Sequence, residues 1–236
     1  MKKEILIIKN SSPEGPGLLE ELLSERNIAF HITDLDRGEP FPEVSDFGAV
    51  VVLGGPDSAN DQNDKMAHEL MRIRQVLDAK IPYLGICLGL QTLVKAAGGK
   101  VVKSPMKEVG FKGPDESFFT VELTSHAKAD PLFKGLDSTL NVFHLHGETV
   151  ELTKDMILLA KGKFCPNQVV KIGTNAYGIQ CHFELTPTMF EEWITGDEDL
   201  LQLDTESLRA DFESMKSQYR ETGLQLFNNF LDMVGY

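Results

Sequence analysis

The chain has 236 residues, 42% of them hydrophobic, which is enough to bury a sizeable core without disulfide or metal staples. Its longest apolar runs, such as residues 49–53, are too short to cross a bilayer, and Met1-Lys2-Lys3-Glu4 leads into a strand rather than a secretory apolar stretch, so a cytoplasmic protein with no membrane partner is expected. The formal net charge of -13 argues against nucleic acid, which needs a basic stripe to displace counterions, and the three cysteines, odd in number and without C-x-x-C spacing, predict reduced thiols rather than disulfides or a thiolate zinc site.

Residues 4–9 form an apolar, β-branched strand, followed by the loop Asn10-Ser11-Ser12-Pro13 and a helix with Leu18, Leu19, Leu22 and Leu23 on its apolar face. Residues 28–33 and 49–53 continue as strands, the second closed by Gly54-Gly55-Pro56. A helix over about 65–79 precedes a short strand that ends in Cys87, and 88–97 is a helix stopped by Gly98-Gly99. Strands that alternate with helices and read as continuous apolar runs predict an α/β, doubly wound, largely parallel central sheet with helices on both faces. Ligands in such sheets bind beyond the carboxyl ends of the strands, where Gly54-Gly55-Pro56 and Cys87 both lie. Shorter strands are expected at 118–123, 140–144, 157–160, 168–172 and 176–182, forming a small antiparallel extension. Residues 1–186 then make the main domain, and 187–236 a helical extension packed on it, with apolar stripes at Leu208, Phe212, Met215 and Tyr219 and at Leu224, Phe227, Leu231 and Val234. Much of the negative charge falls in that extension, at Glu191-Glu192, Asp197-Glu198-Asp199 and 211–213. Solubility accounts for such a surface, the alternative being a docking face for a basic partner.

Gly85-Ile86-Cys87-Leu88-Gly89 has the form of a nucleophile elbow, in which small neighbours let the chain nearly touch itself at a sharp strand-to-helix turn. The partial positive charge of unpaired amides at the helix start favours a thiolate there, and the Leu88 N–H can serve as an oxyanion donor. An inert buried cysteine is the alternative. A cysteine nucleophile needs a base, and the histidines are His31, His68, His126, His144, His146 and His182. His182 has the best surroundings, because it ends a buried strand and Glu184, two residues on, points the same way and can fix its tautomer and stabilise the imidazolium. Taken alone, that pair also suits a structural histidine.

Together, Gly54-Gly55-Pro56, then Gly85-Ile86-Cys87-Leu88-Gly89-Leu90-Gln91, then His182-Phe183-Glu184 resemble in order and spacing the class I glutamine amidotransferases, nearest in type to the amidotransferase domain of GMP synthase and its stand-alone relatives. Lys107-Glu108-Val109-Gly110, Phe143-His144-Leu145-His146-Gly147-Glu148 and Cys165-Pro166-Asn167-Gln168 are similar to lesser landmarks of that family. The resemblance implies a flavodoxin-like fold and a triad of Cys87, His182 and Glu184. It also implies oxyanion donors at the amides of Gly55 and Leu88, since Pro56 has none to give. Gln91, one helical turn beyond Cys87, is assigned to the amino-acid end of glutamine, with Leu145, His146 and Gly147 adding contacts. No metal or organic cofactor is implied; a metal site built from His144, His146, Cys181 and His182 is the alternative set aside.

The activity implied is hydrolysis of L-glutamine to glutamate and ammonia through a γ-glutamyl thioester. A γ-glutamyl peptide or conjugate hydrolase and a non-catalytic regulatory subunit are the alternatives. Two departures stand out. His182-Phe183-Glu184 replaces the family's usual His-Pro-Glu, losing the ring that fixes the intervening backbone. The sequence also carries no counterpart of the synthetase portion of a GMP synthase, so the ammonia acceptor is expected to be another protein or molecule, such as a synthase acting in trans.

Overall fold

The computed structural model describes residues 2–236. Its first half alternates strand and helix: β1 (Ile5–Lys9), α1 (Leu18–Glu25), β2 (Phe30–Asp34), β3 (Ala49–Val52), α2 (Asp64–Asp78), β4 (Tyr83–Ile86) and α3 (Leu88–Ala96). There follow β5 (Lys100–Gly110), β6 (Thr120–Leu123), β7 (Thr139–Asn141), β8 (His144–Glu151), β9 (Met156–Gly162), β10 (Val169–Ile172) and β11 (Ala176–Ile179), then α4 (Pro187–Gly196) and α5 (Thr205–Met233). Nine strands form one sheet in the order β2-β1-β3-β4-β11-β10-β9-β6-β7. From β2 to β11 the pairings are parallel, and from β11 to β7 they are antiparallel.

The parallel strands are buried on both faces, and the two-residue period sorts their side chains. Ile5, Ile7, Val51 and Leu84 face α1 and the second half of α5, meeting Leu19, Leu23, Phe227 and Leu231. Leu6, Ile8, Val50 and Val52 face α2 and α3, meeting Ile73, Val76 and Leu93. Among the described residues no helix is long and apolar enough to cross a membrane.

The antiparallel part is larger than the expected small extension, taking four strands of the main sheet and a separate β5–β8 ribbon. The ribbon's first strand is polar and interrupted by Pro105, and its register shifts between Lys103 and Glu108, which erases a clean alternation from the sequence. The strand expected over 140–144 is two strands, because Val142 and Phe143 leave the ladder: Val142 N–H donates to Phe119 O, and Phe143 O accepts from His182 N–H at 2.9 Å. The strand expected over 176–182 stops at Ile179, which frees the last three residues to enter the site.

Helix α4 is capped by the Thr186 hydroxyl, which accepts from Met189 N–H, with Pro187 in the first turn. Phe190 and Trp193 of α4, Phe212 and Tyr219 of α5, and Phe111 and Phe143 form one buried aromatic cluster. Farther along, α5 meets α1, where Arg26 holds Asp232 at 2.9 Å and Asn228 at 2.5 Å. Helices 187–236 thus touch both the sheet's helical cover and the loops at its carboxyl end.

Candidate active site

The chain turns from β4 into α3 at Cys87, whose φ of 52° and ψ of -106° lie where a side chain is rarely held, a strain of about 1–3 kcal/mol. The flanking glycines make the turn possible: a Cβ on Gly85 would lie 2.2 Å from Gly89 O, and one on Gly89 would lie 2.1 Å from Val52 O. Cys87 is 6% exposed, its Sγ is 3.7 Å from Leu145 O, and Gln180 Nε2 approaches it at 3.6 Å. Among the described residues the N–H of Gly55 and that of Leu88 have no backbone acceptor outside the helices and strands.

His182 enters from beyond β11. Its backbone is pinned on both sides, the N–H by Phe143 O and the carbonyl by the Tyr219 hydroxyl at 2.9 Å. Its Nδ1 meets Glu184 Oε1 at 2.5 Å, while Nε2, also buried, has no hydrogen-bond partner. A methyl placed on Gly54 would lie 3.4 Å from His182 Cε1 and 3.5 Å from Cys87 Cβ, so thiol and imidazole face each other across that glycine. Burial alone would push the His182 pKa down, but the Glu184 carboxylate and the nearby Cys87 raise it well above the ordinary value. Glu184 itself is anchored by the Phe183 N–H, which donates to Oε2 at 2.9 Å. A proline at that position has no N–H, so here the missing ring is matched by an added hydrogen bond.

Cys87, His182, Gly55, Gln91, Leu145, His146 and Gly147 line one cavity of about 590 Å³. Leu88 and Glu184 stand behind its wall, Leu88 packed with Met66, Val101 and Val150, and Glu184 behind His182. Gln91 Nε2 is held by Glu148 O at 3.3 Å and Gln180 Oε1 at 3.4 Å. His146 Nε2 lies 3.0 Å from Glu108 Oε2 and its Nδ1 3.0 Å from Glu148 O. The structure groups His144 and His146 with buried Glu108, not with Cys181, and the three offer ligand atoms within 4.8 Å of one another. Burial, then the charges of His146 and His182, hold the His144 pKa well below its ordinary value.

Three cavity neighbours carry no functional reading in the sequence. Gln180 precedes His182 by two residues, and period two could have found it. Trp193 sits on α4 with its ring edge-on to His182 at 5.1 Å. Glu14 lies in the loop after β1, its Oε2 2.5 Å from where a Gly54 methyl would be, and burial raises its pKa to about 7. Only tertiary structure brings those last two to the site.

A strained thiol on an elbow, an imidazole beside it and a carboxylate behind the imidazole make an arrangement suited to nucleophilic acyl transfer. Its setting, at the carboxyl end of a doubly wound parallel sheet, defines the class: the chain belongs to the class-I glutamine amidotransferase family, whose family model matches residues 18–198. The match takes in α4 and stops before α5. The glutamine amidotransferase-like protein YfeJ of Salmonella typhimurium is 31% identical over 185 residues, which are 76% of this chain and 74% of YfeJ. The GMP synthase of Aliivibrio fischeri is 31% identical over 150 residues, covering 62% of this chain and 26% of the synthase. Solved structures of glutamine amidotransferases from Methylobacillus flagellatus and Thermotoga maritima each superpose with a TM-score of 0.87 at 26% identity. The first covers 98% of this chain and 95% of that one, the second 100% of both.

Proposed function

We propose that the protein hydrolyses the side-chain amide of L-glutamine through a thioester on Cys87 and releases ammonia to an acceptor carried by another protein or molecule. The observation that supports this most is His182, bound to Glu184 through Nδ1 and unpartnered at Nε2 on the side of Cys87. In this reading Nε2 takes the thiol proton, and the thiolate attacks the carboxamide carbon. The amides of Gly55 and Leu88 receive the oxyanion, at a working distance of about 2.7–3.1 Å. His182 returns its proton to the departing ammonia and then activates the water that cleaves the thioester. Glu184 keeps Nδ1 protonated and stabilises the imidazolium, in line with the raised His182 pKa. Gln91 and the backbone from Leu145 to Gly147 hold the amino-acid end of the substrate.

The test is glutamate release from glutamine by the wild-type protein and Cys87→Ala, with alkylation by a glutamine-like chloroketone in parallel. The expected loss in Cys87→Ala is at least about three orders of magnitude. Turnover within tenfold of wild type would reject the nucleophile. Silence of the wild type together with an unlabelled Cys87 would favour a non-catalytic subunit.

A further inference from the structure

A second group of buried polar side chains lies outside the triad, across the β5–β8 ribbon. Glu108 of β5 and His146 of β8 stand opposite each other in the register, and His144 lies two residues along on the same face. The three are 1%, 5% and 1% exposed in that order and offer donor atoms no more than 4.8 Å apart. Some point therefore lies within about 2.8 Å of all three, against bonds of about 2.0–2.2 Å from zinc to nitrogen or oxygen. Glu108 meets the two histidines and, among the described residues, no lysine or arginine. His146 Nδ1 lies 3.0 Å from Glu148 O, and since a carbonyl only accepts, Nδ1 carries the proton of the neutral ring. Its Nε2 is left with a lone pair 3.0 Å from Glu108 Oε2, yet no hydrogen bond joins them and this buried nitrogen has no partner. His144 Nε2 lies 3.9 Å from Glu108 Oε1, and the other nitrogen of that ring is also buried without a partner.

A buried carboxylate and imidazole lone pairs gathered without hydrogen bonds between them are what a cation joins. The outer contacts fit the same reading. A histidine that binds a metal through one ring nitrogen gives its other N–H to a carbonyl or carboxylate, as His146 does to Glu148 O. A ligating carboxylate is itself hydrogen-bonded, as Glu108 is by Gln168 Nε2 at 3.2 Å. We infer that Glu108, His144 and His146 bind one zinc ion, with a fourth position for water or for the Gln168 amide oxygen, which is buried and unpartnered. Two nitrogens among three donors select zinc over magnesium or calcium, which take oxygen. The role of the ion is structural. The β5–β8 ribbon has no third strand and its register shifts just before Glu108, and a two-stranded ribbon is marginally stable by itself. An ion shared by Glu108 and His146 fixes the second half of the ribbon, and with it the stretch from Leu145 to Gly147 that lines the cavity. Binding of the ion does not depend on the Cys87 chemistry.

The experiment uses the full chain, purified without a polyhistidine tag, stripped with a chelator and titrated with Zn(II) alone and with Co(II) alone. The wild type is expected to bind one equivalent and to give a cobalt spectrum of nitrogen and oxygen ligation, with no thiolate charge-transfer band. Free zinc at a hundredfold above Kd is expected to raise Tm by about 5–11 °C. Loss of an outer contact to a metal ligand costs about 10–100-fold in affinity, so His144→Gln, which removes a ligand, is expected to weaken binding at least about a hundredfold and to abolish the Tm gain. Cys87→Ser is expected to bind as the wild type does, which separates this site from the thiol and imidazole of the cavity. No binding by the folded wild type, a thiolate band, binding lost in Cys87→Ser, or binding kept in His144→Gln overturns the inference. Should His144→Gln fail to fold, the ring resonances of His144 and His146 in the wild type decide: both are expected to shift on zinc binding, and unmoved rings overturn the inference.

Discussion

Replacing Tyr219 by phenylalanine removes one oxygen and leaves the ring in its place among Phe111 and Phe212. The lost hydroxyl is the donor to the His182 carbonyl at 2.9 Å, on a tyrosine that is 1% exposed, so no water can take over its role without rearrangement. An unpaired buried carbonyl costs about 1–3 kcal/mol, which for a chain of this size is roughly 2–12 °C in Tm. The same bond fixes the backbone of the residue assigned the proton transfers, so kcat is expected to fall about tenfold with KM little changed. Glutamate release, measured well below the melting transition, reads the first effect, and thermal unfolding reads the second. Leu231→Ala is the matched control. It lies on the same helix, fully buried against the main core and away from His182, and should cost about 2–5 kcal/mol of stability with kcat intact. If Tyr219→Phe lowers Tm as the control does but keeps kcat within twofold of wild type, the hydroxyl has no positioning role and the reasoning fails.

Phe183→Pro restores the residue common in the family and deletes the N–H that donates to Glu184 Oε2. It also empties a buried aromatic site, so a loss of about 3 kcal/mol or more is expected, together with a severalfold drop in kcat; a proline variant as active as wild type would show that this hydrogen bond does not matter. Glu69, on α2, is 0% exposed, and burial raises its pKa to about 7, above an unfolded value of about 4.3. A raised pKa means that its contribution to stability is complete below the unfolded value and is lost as pH rises through about 7. Glu69→Gln, which never ionises, is therefore expected to exceed wild type at pH 8 by up to about 3 kcal/mol, and the two should converge toward pH 4.5. Glu14 titrates over the same range in both proteins and cancels in the difference. Urea unfolding across that range measures the gap, and a gap that does not vary with pH would refute the assignment.

The parallel half and the elbow are legible in the sequence because their signals are local. Residues 49–53, short and rich in valine, read as a strand buried on both faces, and the spacing of Gly85 and Gly89 around Cys87 encodes a backbone approach that the structure shows to be 2.1–2.2 Å from any added Cβ. His182 and Glu184 are legible for the same reason, two positions apart on extended chain. The polar β5 hides its pairing behind Pro105 and a shifted register, and the break at Val142 and Phe143 depends on acceptors and donors far away in sequence. Glu14, Trp193 and Tyr219 were out of reach for a related reason: each is an unremarkable loop, helix or core residue until the fold sets it against His182. Asp197 to Asp199 read as solvated surface, and only the docking of α4 on the aromatic cluster turns that acidic turn into a wall of the cavity.

With 29 residues, α5 is about 43 Å long. It ties together segments far apart in sequence: Arg26 at the end of α1 through Asn228 and Asp232, the carbonyls of Leu132 and Lys134 through Asn229, and His182 through Tyr219. Fraying at its last turns releases α1, and continued fraying reaches the hook on the imidazole's backbone within a few turns. A single proteolytic cut in α5 is therefore expected to loosen the backbone of His182 without touching that residue.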